Sequence, residues 1–131
     1  MFYSINKIIT SGSTEADPIT EKLEVSAGVI HQVDLIFPAA SSREVYAQVF
    51  CGSYQFIPVN LFEAVRGDDM VISTREFYEL TSSTNIIMLK AWNTGDDDTL
   101  LLGLNIGVLP KKILQPFSFE ELLKAAMGVE L

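Results

Sequence analysis

One cysteine, one histidine and one tryptophan are all that 131 residues hold of those types, and each scarcity closes off a class of chemistry. A lone Cys51 cannot form an internal disulfide, so the core itself must hold the domain, as is usual in a reducing compartment. A lone His31 removes every multi-histidine zinc arrangement. Positive charge is scarce as well: nine Lys and Arg stand against 17 Asp and Glu, a net charge of -8. Such a surface repels a phosphate backbone and anionic lipid headgroups, which argues against nucleic acid as a partner. Long apolar runs are missing; residues 86–89 and 100–102 fall far below the roughly 20 residues of a membrane span, so no membrane association is expected. At the N-terminus, Lys7 lies inside the apolar stretch rather than before it, which does not fit a signal peptide. No glycine-rich loop opens a helix, and Ser41, Ser42, Ser82 and Ser83 have neither an adjacent histidine nor a nucleophile-elbow pattern. Nucleotide-binding and hydrolase readings therefore fail, and neither a cofactor nor a metal is expected.

What the chain does have is apolar content. Hydrophobic residues make up 48% of it, and the mean hydropathy is +0.27. That is high for a domain this small, whose surface-to-volume ratio leaves much surface wet, so some apolar surface is expected to face a partner.

The pattern is mostly of period two, the signature of strands. In residues 29–37, Val29, His31, Val33, Leu35 and Phe37 alternate with Ile30, Gln32, Asp34 and Ile36. Val45, Ala47, Val49 and Cys51 alternate with Tyr46, Gln48 and Phe50, and Gly52-Ser53 supplies the glycine-first pair of a type II′ turn. With Cys51 and Tyr54 flanking that turn, Val49 is expected opposite Phe56, and Pro58, having no N–H, ends the ladder. Residues 70–80 place Ile72, Tyr78 and Leu80 on one face and Val71 and Phe77 on the other. Strands at 85–92 and 100–109 flank the acidic loop 93–99 and are expected to form a second hairpin. In the last of these, Leu100, Leu102, Leu104, Ile106 and Val108 fill one face, while Gly103 and Gly107 leave notches on the other; it should be central and covered on both sides.

With shorter strands at 2–9 and 21–25, the count reaches about eight in meander order, which predicts an all-β, antiparallel, jelly-roll-like sandwich over residues 1–109. Residues 110–131 read as a prolyl linker and a C-terminal amphipathic α-helix. Ser118 and Glu121 form a capping box, and Phe117 and Leu122 a hydrophobic staple. Phe119, Leu122, Leu123, Ala126 and Met127 recur at the spacing of one helical face, the candidate partner-binding stripe.

Several groups invite a chemical reading, each with a bland counterpart. His31 and Cys51 would make a dyad only on facing strands, with a third group orienting the imidazole; a packed cysteine is ordinarily inert. Glu76 and Glu79 are the carboxylates on offer as acid or base. Asp96, Asp97 and Asp98 could meet Asp68 and Asp69 at one end of the sandwich in an oxygen-rich site, though such loops are usually just solvated. Arg66-Gly67-Asp68 spells an adhesion tripeptide that chance also produces. Trp92, Tyr46, Phe50, Tyr54 and Tyr78 would line a sugar platform if exposed together, or else fill the core. The N-terminal strand could add to a partner's sheet or pair within its own domain.

In general build, an acidic sandwich with terminal arms and no cofactor motif, the chain resembles the small decoration or cement proteins that tailed bacteriophages place on their capsids. The resemblance covers the whole chain and rests on no motif. It implies a non-enzymatic virion component, made in the host cytoplasm, whose partners are further copies of itself in a homo-oligomer and the major capsid protein. The alternative is a stand-alone β-sandwich module, otherwise cytoplasmic, that binds carbohydrate or another ligand.

Overall fold

Strict alternation of apolar and polar residues buries one face of a strand and wets the other, and two such sheets hide their apolar faces against each other. The structure, a computed structural model, describes residues 1–60, 62–99 and 101–110. It is all-β, two antiparallel sheets packed as a sandwich. Among the described residues there are nine strands: β1 (Phe2–Ile8), β2 (Ile19–Val25), β3 (Gly28–Phe37), β4 (Val45–Cys51), β5 (Tyr54–Ile57), β6 (Val65–Arg66), β7 (Met70–Leu80), β8 (Asn85–Asn93) and β9 (Leu101–Leu109). No helix in that range is long and apolar enough to cross a membrane. The capping box and the stripe from Phe119 to Met127 lie outside the described residues, as does Leu100.

The four-stranded sheet runs β1-β9-β3-β7 and the five-stranded sheet β2-β8-β4-β5, with β6 beside β5 on the outer edge of β4. This is not the expected meander. With β6 set aside, the pairs nest: β1 with β9, β2 with β8, β3 with β7, β4 with β5. The chain is thus one long hairpin, folded about the Gly52 turn and rolled into two layers. Strands β8 and β9 do not form the expected second hairpin, because β2 and β4 occupy the edges of β8 while β1 and β3 occupy those of β9. The 94–99 loop crosses from one sheet to the other.

The core lies between the sheets. Leu102, Leu104 and Ile106 of β9 are fully buried, against Val33 and Leu35 from β3 and Val45, Ala47 and Val49 from β4. Burying a side chain of this kind stabilises by roughly 1.5–3 kcal/mol, and this layer is the main source of stability. β9 is central as expected, but no second layer covers its outer face among the described residues. Side chains of the adjoining strands fill its glycine notches instead: Asn6 and Ile36 over Gly103, Phe2 and His31 over Gly107.

Two register shifts overturn expected pairings. A bulge between Ile30 and Gln32 turns Ile30 into the core and sends His31 to the outer face, opposite to the assignment from alternation. A second, between Val49 and Phe50, pairs Val49 with Ile57 rather than Phe56. The turn itself matches: Cys51 pairs with Tyr54, and Gly52 takes φ +57°, which glycine adopts without a Cβ clash.

Candidate functional site

The single histidine and single cysteine are not brought together. His31 sits on the outer face of the four-stranded sheet, edge-on to Phe2 at 6.0 Å between ring centres. Cys51 lies in the other sheet, packed against the core, and burial pushes its thiol pKa up. A raised thiol pKa opposes nucleophilic work, since the thiolate is the reactive form. Ellman's reagent at pH 8 is therefore expected to modify native Cys51 several-fold more slowly than the urea-unfolded chain; equal rates would show the thiol to be unprotected. By linkage, the neutral thiol's contribution to stability is fully present below the ordinary thiol range and is lost as pH rises from there through the raised folded value. Glu76 and Glu79 alternate to opposite faces of β7, so they do not converge either.

The two acidic loops do lie at one end of the sandwich, tied together through residues 38–44. The Ser42 N–H donates to the Asp68 carboxylate at 3.1 Å, the Asp69 N–H donates to the Pro38 carbonyl, and the Thr94 N–H donates to the Glu44 carbonyl. Asp98 accepts from the Ser11 N–H at 2.8 Å. Two of the carboxylates read as metal ligands, Asp68 and Asp98, thus cap loop backbone, and no three metal-ligating side chains cluster among the described residues. The adhesion tripeptide is likewise absorbed: the Arg66 guanidinium donates to the Tyr46 hydroxyl at 2.7 Å and lies over its ring, while Asp68 holds Ser42.

The aromatic row divides in two. Tyr46 and Trp92, paired across β4 and β8, stack at 5.5 Å on the outer face of the five-stranded sheet, which Phe50 shares. Tyr54 and Tyr78 stack at 5.1 Å with Phe56 edge-on, and join β5 to β7 at the margin between the sheets. Burial pushes the Tyr78 hydroxyl pKa up, followed by the nearby Cys51 and Tyr54 charges.

Two surfaces stand out once the fold is known. The first is the outer face of the four-stranded sheet, where Phe2, Ile8, Val71, Phe77 and Leu101 are all exposed. Register orders them into bands. Ile8 beside Leu101 is one apolar pair, and Ile36 beside Val71 is a second, in a row completed by Gly103 and Asn6. Ser4, Asn105, Asp34 and Ser73 make a polar one, with the Ser73 hydroxyl donating to Asp34. The last row is Phe2, Gly107, Gln32 and Arg75, with His31 edge-on to Phe2 and Phe77 in the irregular stretch of β7 opposite His31. The 2–9 strand named as a candidate for pairing with a partner's sheet is hydrogen-bonded to β9 on one side and is an edge on the other.

The second surface lies on the five-stranded sheet, where Phe62 and Glu63 lie beside the outward side chains of β4 and β5. Its anchor is the Glu63 carbonyl, which accepts from the amide nitrogens of Gln48 at 2.8 Å and Gln55 at 3.0 Å. Both glutamines are buried. With Phe50, Phe62, Glu15 and Lys90 they line a cavity of about 250 Å³. Sequence reasoning passed over these glutamines; the available signal was two uncharged polar residues at outward positions of apolar strands on either side of one turn. Neither a protein-family model nor a curated protein matches the chain.

Proposed function

We propose that this chain is a non-enzymatic assembly protein of jelly-roll type, a virion component that decorates or cements a tailed-phage capsid. The observation that carries the reading is the banded apolar face of the four-stranded sheet. Phe2 is 66% exposed, Leu101 and Val71 55% each, Ile8 50% and Phe77 49%, all on one face of one sheet. Exposed apolar side chains gathered on one face of a small acidic domain mark a contact surface, and the polar row of Ser4, Asn105, Asp34 and Ser73 that divides them supplies the directional bonds that fix register with a partner. The nested pairing supports the jelly-roll reading, and that architecture is frequent in capsid and lectin domains, an argument by analogy of fold. Its partners are further copies of the chain and the capsid subunit beneath, with the stripe Phe119, Leu122, Leu123, Ala126 and Met127 as a second contact.

Light scattering over a range of concentrations tests the self-association on which this rests. The wild-type chain is expected to exceed its 14.5 kDa monomer mass as concentration rises. V71D combined with L101D should return it to monomer with the β-type circular dichroism unchanged, because both side chains are exposed. A wild-type mass that stays at the monomer value, or an oligomer that these changes leave intact, overturns the assignment of this face.

A further inference from the structure

We propose that the cavity beneath Phe62 is a subsite for a neutral sugar ring, separate from the assembly face and on the opposite sheet. Three observations meet there. Gln48 and Gln55 are each 3% exposed, and each spends its amide nitrogen on the Glu63 carbonyl. Both side chains line the cavity, their amide groups held in place by the bonds to Glu63, and they give its wall two neutral polar groups of the kind that pair with hydroxyls.

The second observation is Phe62 itself. It is 87% exposed and holds φ +69°, a left-handed conformation that costs a residue with a Cβ. An aromatic ring kept in water on a strained backbone, next to a carbonyl held by two buried amides, is poised to cover something. With Phe50 it offers apolar ring surface of the kind that packs on the C–H face of a pyranose.

The third is charge. Glu15 and Lys90 are the charged lining residues, one of each sign, so the site has no net pull on an anion or a cation. A volume of about 250 Å³ falls below the roughly 300–1,000 Å³ of sites for drug-sized ligands, which suits one ring rather than a large cofactor.

The test is an amide-shift titration by NMR of the full chain with neutral oligosaccharides of glucose, N-acetylglucosamine, mannose and galactose, and with a sulfated oligosaccharide as the charged probe. At least one neutral probe should shift the amides of residues 48, 55 and 62, and F62A should weaken its binding at least about tenfold. F62A removes an exposed ring, so an unchanged melting temperature would certify the fold; Q48L offers a second variant that keeps side-chain bulk while removing one lining amide together with its bond to Glu63. No shift with any neutral probe at about 10 mM, tighter binding of the sulfated probe, or a folded F62A that binds like wild type would each overturn the proposal.

Discussion

Truncation of Leu104 to alanine is expected to cost about 2–5 kcal/mol of unfolding free energy, enough to remove a large share of the stability of a domain this size. Leu104 is fully buried at the centre of β9, paired with Ile5 on one side and Leu35 on the other, and faces the opposite sheet. Loss of its methyl groups forfeits their transfer from water and leaves a cavity that three fixed strands cannot close. Urea unfolding followed by circular dichroism measures it. With a slope of about 1–3 kcal/mol per molar urea, the midpoint should fall by roughly 1–3 M. Leu101→Ala is the control: the same chemical change, on the same strand, at a side chain on the exposed face, with an expected effect within about 0.5 kcal/mol. Comparable losses at the two positions would mean that the register of β9 is displaced by one residue, since such a slip exchanges its faces.

That contrast also marks how far the strands were legible. The faces of β9 and β7 were readable because apolar residues there keep strict step: Leu102, Leu104 and Ile106 are buried, while Val71 and Phe77 are exposed and Leu80 is buried. The Cys51 and Tyr54 pairing was readable because Gly52 sets the turn locally. His31 was misplaced because Val29 and Ile30 are both apolar, and a one-residue bulge leaves no trace in composition. Strand order escaped for a different reason. Turn residues show where a strand stops, whereas β1 finds β9 through contacts about a hundred residues apart, which no local pattern encodes.

The candidate surfaces follow the same division. Exposed apolar residues on the four-stranded sheet were visible as an excess of hydrophobic content but could not be placed on one face without the order of the strands. Gln48 and Gln55 stood out as uncharged polar residues flanking one turn, but their shared partner, the Glu63 carbonyl, is fixed only by the folded chain. The helical stripe from Phe119 to Met127 lies outside the described residues.

Asn93→Ala is expected to destabilise the domain by about 2–4 kcal/mol, although it removes only an amide. Asn93 is 1% exposed at the end of β8, where the chain leaves one sheet for the other. Its side-chain nitrogen donates to the Ile9 carbonyl at 3.2 Å and the Asp97 carbonyl at 2.8 Å, and its oxygen accepts from the Gly95 N–H at 2.9 Å. Its own N–H donates to the Ser13 hydroxyl at 2.8 Å. One residue therefore joins the end of β8, the 94–99 crossing and the segment after β1. Alanine leaves two carbonyls and one N–H without that partner in a largely dry site, and water entering from the loop end recovers only part of the loss. Thermal and urea unfolding read the cost. Asn93→Asp separates a hydrogen-bond effect from a packing effect, because it conserves shape and changes only the donor. An ionised carboxylate facing two carbonyls is repelled, so the folded-state pKa of the introduced group is raised above the usual aspartate value of about 3.9. A raised folded pKa places its stabilising contribution below that value and loses it as pH rises through the folded one. N93D should thus lie closer to wild type near pH 4 than at pH 7, while the deficit of N93A stays level over the same interval. Parallel curves for the two variants would assign the loss to shape, and the loops at this end would then be held by Thr99, Asp98 and Ser13 without Asn93 as their centre.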